Sequence, residues 1–291
     1  MRLVTFSDSS TPSRTGVLVE GGVVDLTEVG LPADMADFIR LGEAGLETAA
    51  EVATRAAPIP LNLVRIHAPV PRPPKNVMCV GRNYRDHAAE FSRSGFDASE
   101  RSVLPEHPVI FTKATTSIIG PDEPIVLAND PTGTVDYEGE LGVVIGREGR
   151  RIPQAEAFGH VLGFTIVNDV TARDLQSRHV QWFIGKSPDT FCPMGPAIVT
   201  TDELPDISAS WLRTHVNGEL RQEAPISSLI FDIPSLIHTI SETTLLEPGD
   251  VIATGTPAGA GIGFDPPRFL AAGDRVEVSV DGIGILGNPV T

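Results

Sequence analysis

The sequence predicts a mostly β fold with some α: a large sandwich or barrel-like roll, preceded by a small N-terminal α+β domain. Three observations carry this expectation. Apolar runs of strand length recur from residue 76 onward, bounded by turn residues. Asn217-Gly218 and Asp281-Gly282 are type I′ hairpin signals. Gly (28) and Pro (25) are abundant and punctuate the chain without forming repeats. Strands in succession, without regular alternation with helices, point away from a doubly wound sheet.

Taken in order, residues 2–6 and 15–26 read as short strands, with a turn at Glu20-Gly21-Gly22. A helical stretch follows over 33–57, with Ile39, Leu41, Leu46 and Val52 as its apolar positions. Ala68-Pro69-Val70-Pro71-Arg72-Pro73-Pro74 then sets four prolines in seven residues. Proline removes backbone donors and fixes φ, so this segment is a linker or an extended wrap. It separates an expected domain 1–70 from a second, 71–291. Beyond it, strands are expected at 76–80, 108–112, 124–127, 134–145, 160–168, 196–200, 211–216, 250–254 and 275–280. Helices are expected at 84–92, 171–176 and 233–245.

Composition narrows the function. A chain of 291 residues with 41% hydrophobic and 21% charged residues is an ordinary globular mixture of one or two domains. Lys plus Arg number 22 against 38 for Asp plus Glu, a net charge of −16. Such a surface repels a polyphosphate backbone, which argues against a nucleic-acid partner. An acidic protein that binds an acidic substrate needs local cations, and a divalent metal supplies them compactly. Cys79 and Cys192, far apart and each in apolar surroundings, offer no disulfide framework or paired ligands and read as reduced core thiols. No leader-like or membrane-spanning run is present, so a soluble, cytoplasmic protein is expected.

Two nucleotide motifs fail. Gly185-Lys186-Ser187 ends like a P-loop, but Val180 stands where its first glycine is required. Gly259, Gly261 and Gly263 resemble a dinucleotide loop, but Phe264-Asp265-Pro266-Pro267 follows where a helix should begin. More informative is Asp136-Tyr137-Glu138-Gly139-Glu140, leading into the apolar Leu141–Ile145 run. Residues two apart share a strand face, so Glu138 and Glu140 project together. Alone, the pair equally suits the solvated face of an edge strand. At the mouth of a buried strand, however, two carboxylates repel unless a cation sits between them. Asp169 ends a second apolar strand; alone it reads as a helix N-cap, and with the glutamates it completes an all-oxygen set. Such a set selects Mg²⁺, Mn²⁺ or Ca²⁺ over zinc.

Further motifs occur in order with these: Gly81-Arg82-Asn83-Tyr84-Arg85-Asp86-His87-Ala88-Ala89-Glu90, then Asn168 to Gln176, Gly185-Lys186-Ser187 and Thr254-Gly255-Thr256-Pro257. From about residue 75 onward the chain resembles the fumarylacetoacetate hydrolase family, whose mixed β-sandwich roll is commonly dimeric; residues 1–70 resemble the small N-terminal domain of its bacterial members. The resemblance implies a homodimer, with Glu138, Glu140 and Asp169 as ligands of Mg²⁺ or Mn²⁺. It also implies that His87 and Glu90 form a water-activating pair and that Lys186 is catalytic. Arg82, Tyr84, Lys113, Arg173, Gln176 and Thr256 would line the substrate site. Many family members have proline after the position of Lys113, where this chain has Ala114. Trp182 and Phe183 read as packing residues, and 91–107 as a lid over the site.

The activity this implies is hydrolysis of a C–C bond in an acylpyruvate-like 2-oxo acid, the 2-oxo acid leaving as an enolate that the metal stabilises. Decarboxylation of a β-oxo acid such as oxaloacetate, isomerisation of a dienoate and lyase action on a ureido or sugar-derived acid fit the same site. A silent metal-binding module is the reading from another class; the presence of the three acids together with His87, Glu90 and Lys186 argues against it.

Overall fold

The computed structural model describes residues 1–96 and 104–291. The N-terminal segment forms β1 (Arg2–Asp8), β2 (Arg14–Val19), β3 (Gly22–Asp25), α1 (Met35–Ile39), α2 (Gly42–Arg55), β4 (Ile59–Pro60) and β5 (Val64–Ile66). After the prolines come β6 (Val77–Gly81), α3 (Arg85–Arg93), β7 (Val109–Lys113), β8 (Ile118–Ile119), β9 (Val135–Asp136) and β10 (Gly139–Ile145). They are followed by β11 (Val161–Asn168), β12 (Thr171–Ala172), α4 (Arg173–Arg178), α5 (Phe183–Lys186) and β13 (Cys192–Thr200). The last third holds β14 (Trp211–Val216), β15 (Glu219–Pro225), α6 (Ile233–Ser241), β16 (Val251–Ala253), β17 (Arg275–Val280) and β18 (Gly284–Pro289).

One mixed sheet runs β4-β3-β2-β1-β13-β11-β10-β16-β6-β7, and a second, antiparallel sheet runs β15-β14-β17-β18. Side-chain alternation along β10 shows how they pack. Leu141, Val143 and Ile145 enter a core shared with Leu212, Val276, Val278 and Leu286 of the second sheet. Val144 enters another core, with Leu3, Val17, Leu26, Met35 and Phe38 of the N-terminal segment. With both faces covered, the central strands read as continuous apolar runs instead of alternating ones. The N-terminal strands are hydrogen-bonded into the large sheet, where β1 lies antiparallel to β13 with Leu3 opposite Ile198.

The mostly β expectation is met, and several local readings are corrected. The helix over 33–57 breaks at Gly42, which has φ +60°, and the change of phase leaves Leu41 exposed. No strand forms at 124–127: Ile125 makes a single bridge to Val290, and a 3₁₀ turn at Leu127–Asn129 ends the ladder. The run 134–145 divides into β9 and β10. Asn217 and Gly218 both take positive φ, as a type I′ turn requires, whereas of Asp281 and Gly282 only Gly282 does. That turn therefore has the type II signature. Among the described residues, no helix is long and apolar enough to cross a membrane.

Candidate active site and metal centre

The pairing of β10 with β11 builds the acidic cluster. Gly139 lies opposite Asn168, and the Asp169 N–H donates to the Glu138 carbonyl at 2.8 Å. The end of β11 thus delivers Asp169 beside the two glutamates. One carboxylate oxygen from each of Glu138, Glu140 and Asp169 lies within 4.8 Å of the others, and all three residues are buried.

Three buried cations surround the cluster. Lys186 Nζ donates to Glu138 Oε2 at 2.7 Å and to Asp169 Oδ2 at 2.6 Å. Lys113 Nζ donates to Asp169 Oδ1 at 2.6 Å and to the Val170 carbonyl at 2.9 Å. Arg173 Nη2 lies 2.6 Å from Glu138 Oε1 and 2.8 Å from Asp136 Oδ2. Glu140 instead accepts the Gly255 N–H, at 2.9 Å. The result is an uneven charge distribution. Burial alone would raise the pKa of Glu138, but Arg173 and Lys186 hold it well below the usual carboxylate range. Burial, then the charges of Asp169 and Glu138, push Glu140 well above it. The carboxylates keep Lys186 protonated in spite of its burial.

His87 and Glu90 share one face of α3. His87 Nδ1 lies 3.0 Å from Glu90 Oε2, and Nε2 lies 3.9 Å from Glu138 Oε1. A carboxylate at Nδ1 favours the Nδ1–H tautomer, which leaves Nε2 as a base turned toward the acids. Glu90 is fixed in turn by the Gly259 N–H, which donates to Oε1 at 2.9 Å.

The cleft above the cluster holds about 300 Å³ of unfilled space, its mouth included. Arg82, His87, Glu138, Glu140, Arg173, Gln176, Lys186 and Thr256 all contribute to its wall. Three expected site residues stand elsewhere or are already engaged. Lys113 is fully buried behind Asp169, pairs with that carboxylate and does not contribute to the cleft wall. Tyr84 is buried off the wall, and burial followed by the charge of Glu140 raises its hydroxyl's pKa. The Thr256 hydroxyl donates to the Gly139 carbonyl and accepts from Gln222 Nε2, so it is not spare for a substrate carboxylate.

Trp182, expected only to pack, lines the cleft between Phe91 and Phe111, with ring centroids 5.9 and 5.1 Å away. Phe183 is half exposed. Sequence reasoning also passed over Asp136 and Gln222. Asp136 stands within the glutamate motif, but its buried partner Arg173 lies 37 residues away. Gln222 sits on a hairpin strand, where nothing marks it as buried. Residues 97–103 of the expected lid lie outside the described residues. Both cysteines are free and buried, and burial raises both thiols, Cys192 to about 12.

The donor set suits a hard divalent cation. Three buried carboxylates converge, and Glu140 stays unfavourable as an anion until more positive charge arrives. Six or more oxygen positions are the norm for such ions, so three protein carboxylates leave room for a chelating ligand.

A mixed β-sandwich with three buried acids at one strand end and a His–Glu pair above them has the geometry of a divalent-metal enzyme site. Residues 76–291 match the family model described as fumarylacetoacetate (FAA) hydrolase C-terminal. The chain belongs to the fumarylacetoacetate hydrolase family. It is 50% identical over 230 residues to oxaloacetate tautomerase YisK of Bacillus subtilis, covering 79% of this chain and 74% of that protein. The structure of a fumarylacetoacetate hydrolase from Exiguobacterium antarcticum superposes with a TM-score of 0.85 at 41% identity, over 100% of this chain and 99% of that one. A maleylpyruvate hydrolase from Sphingobium sp. SYK-6, in complex with manganese(II) and pyruvate, superposes with a TM-score of 0.81 at 31% identity, over 100% and 99%.

Proposed function

We propose that this chain is a Mg²⁺- or Mn²⁺-dependent keto–enol tautomerase of a short 2-oxo dicarboxylic acid of the oxaloacetate type. The observation that carries the reading is His87 Nε2, which stands 3.9 Å from a carboxylate of the acidic cluster while Glu90 holds Nδ1. A base is thereby set beside the position where a 2-oxo acid would be held. The tautomerase named among the relatives supports the same chemistry. So does the small cleft, whose side is closed by Phe91, Phe111 and Trp182.

Glu138, Glu140 and Asp169 would hold the ion, which would supply Lewis acidity at the 2-oxo oxygen. His87 Nε2 takes a proton from C3; the C3–H electron pair becomes the C2–C3 π bond, and the carbonyl π pair moves onto the 2-oxo oxygen. Transfer of the same proton from the His87 imidazolium to that oxygen gives the enol and restores the base; the reverse sequence gives the ketone. Lys186 sets a fixed positive charge beside the oxygen on which charge develops. Arg173 and Gln176 form the polar wall that orients the carboxylates.

A second reading is hydrolysis of an acylpyruvate, in which His87 deprotonates a water that attacks the distal carbonyl; the maleylpyruvate hydrolase neighbour favours it. Both readings are tested with Mg²⁺ on enol oxaloacetate, followed by loss of enol absorbance, alongside product analysis with oxaloacetate and with acylpyruvates of several lengths. Accelerated enol loss without acid release or pyruvate formation supports the tautomerase. Cleavage of acylpyruvates with no effect on enol loss overturns it in favour of the hydrolase.

A further inference from the structure

The triple-glycine loop that failed as a nucleotide motif has another task. Gly259 N donates to Glu90 Oε1 at 2.9 Å, Gly261 N to Asp136 Oδ1 at 2.7 Å and Ile262 N to Asp136 Oδ2 at 3.1 Å. The Tyr137 hydroxyl donates to the Gly259 carbonyl at 2.9 Å. Glu90 in turn holds His87, and Asp136 holds Arg173, whose guanidinium reaches Glu138. We propose that residues 259–263 are a positioning loop that registers the base His87 to the metal-side carboxylate Glu138, acting through Glu90 on one side and through Asp136 and Arg173 on the other.

The glycines are what allow the approach. A Cβ at residue 263 would stand 1.8 Å from Glu90 Oε1, and one at residue 261 would stand 2.4 Å from the Arg268 carbonyl oxygen and 2.6 Å from Asp136 Oδ1. Gly259 takes φ +103°, a conformation that side chains rarely adopt. At 263 the obstructing atoms are Oε1, Cδ and Cγ of Glu90, the outer part of a flexible side chain. Gly263→Ala therefore leaves the fold standing and moves the Glu90 carboxylate away from His87.

The catalytic half of this inference rests on the base role proposed for His87, so the test pairs kinetics with measurements that need no substrate. In Gly263→Ala, kcat is expected to fall about 10²-fold, the scale of a misplaced reacting group, with KM and Mg²⁺ affinity unchanged. The hydrogen-bonded imidazole Nδ1–H proton resonance of His87 is lost, as it is in Glu90→Ala. Added to Glu90→Ala, the alanine at 263 has no further effect, because its target is gone. Asp136→Asn frees Arg173 to pair fully with Glu138, and Mg²⁺ affinity by titration calorimetry falls about 10–100-fold.

Losses that add in the double variant, or a retained Nδ1–H resonance in Gly263→Ala, overturn the Glu90 side. Unchanged Mg²⁺ affinity in Asp136→Asn overturns the Arg173 side; should that variant not fold, Asp136→Glu, which keeps the charge but displaces it by one methylene from Arg173, takes its place with the same readout. If wild-type protein lacks tautomerase activity, the resonance and calorimetry still decide the positioning claim, and only the proposed function falls.

Discussion

Removing one or another acid of the cluster should have opposite effects on the metal-free protein. Asp169→Ala strips both lysines of a carboxylate partner, and among the described residues Lys113 Nζ keeps only the Val170 carbonyl. An unpaired charge left in the interior costs about 3–5 kcal/mol. At roughly 2.1 cal/mol/K of unfolding entropy per residue, that is a fall of about 5–8 °C in Tm for 291 residues. Glu140→Gln keeps an oxygen for the Gly255 N–H and removes an acid whose ionised form its neighbours repel. Its Tm in chelator should equal or exceed wild type, while Mg²⁺ raises the Tm of wild type only. The two variants also differ with pH. Because the folded-state pKa of Glu140 is raised, the folded protein holds a proton that the unfolded chain releases near pH 4.5. This contribution is complete below that pH and is lost as pH rises toward the folded value, a slope that Glu140→Gln lacks. Calorimetric melting in chelator, from acid to neutral pH, measures both effects. Equal destabilisation of the two variants would refute the charge assignment.

Chelation should abolish turnover, and Mg²⁺ or Mn²⁺ should restore it; full activity in stripped protein would remove the metal from the proposal. His87→Ala should lower enol conversion by about 10²–10⁴-fold, the scale of a lost general base, while metal titration stays unchanged. Trp182→Ala should open the side of the cleft. The ratio of kcat/KM for long-chain acylpyruvates to that for oxaloacetate should then rise in a competition assay, and an unchanged ratio would show that the aromatic wall does not limit substrate length.

The cluster was legible where backbone periodicity settles direction. Glu138 and Glu140, two apart before a buried strand, read as sharing a face; that Asp169 joins them followed from the family resemblance, because nothing local in the sequence says that its strand pairs with theirs. Lys113 was harder: a cation after an apolar edge strand can point to the cleft or away, and only the position of Asp169 decides. Trp182 went unrecognised because an aromatic residue at a helix start looks the same whether it packs a core or walls a cavity. Tyr84 carries the opposite lesson, since a polar aromatic inside a functional motif was turned into the interior. The fold class followed from strand count and turns. The join between the N-terminal strands and the main sheet did not, because β1 and β13 meet across nearly two hundred residues and no local pattern links them.

That join bears on how the chain can be cut. Protein begun at residue 76, where the family match starts, loses β1 and the helices beneath it. The backbone of β13 around Ile198 and Val199 would become an open edge. Beside it, Val144, Leu162, Met194 and Val251 would lose the apolar cover of Leu3, Leu26, Met35 and Phe38. An unprotected strand next to bare hydrocarbon is a template for pairing with another chain. The truncated form should therefore self-associate through β13, and a soluble minimal version would need charged substitutions along that strand or a substitute strand supplied in trans.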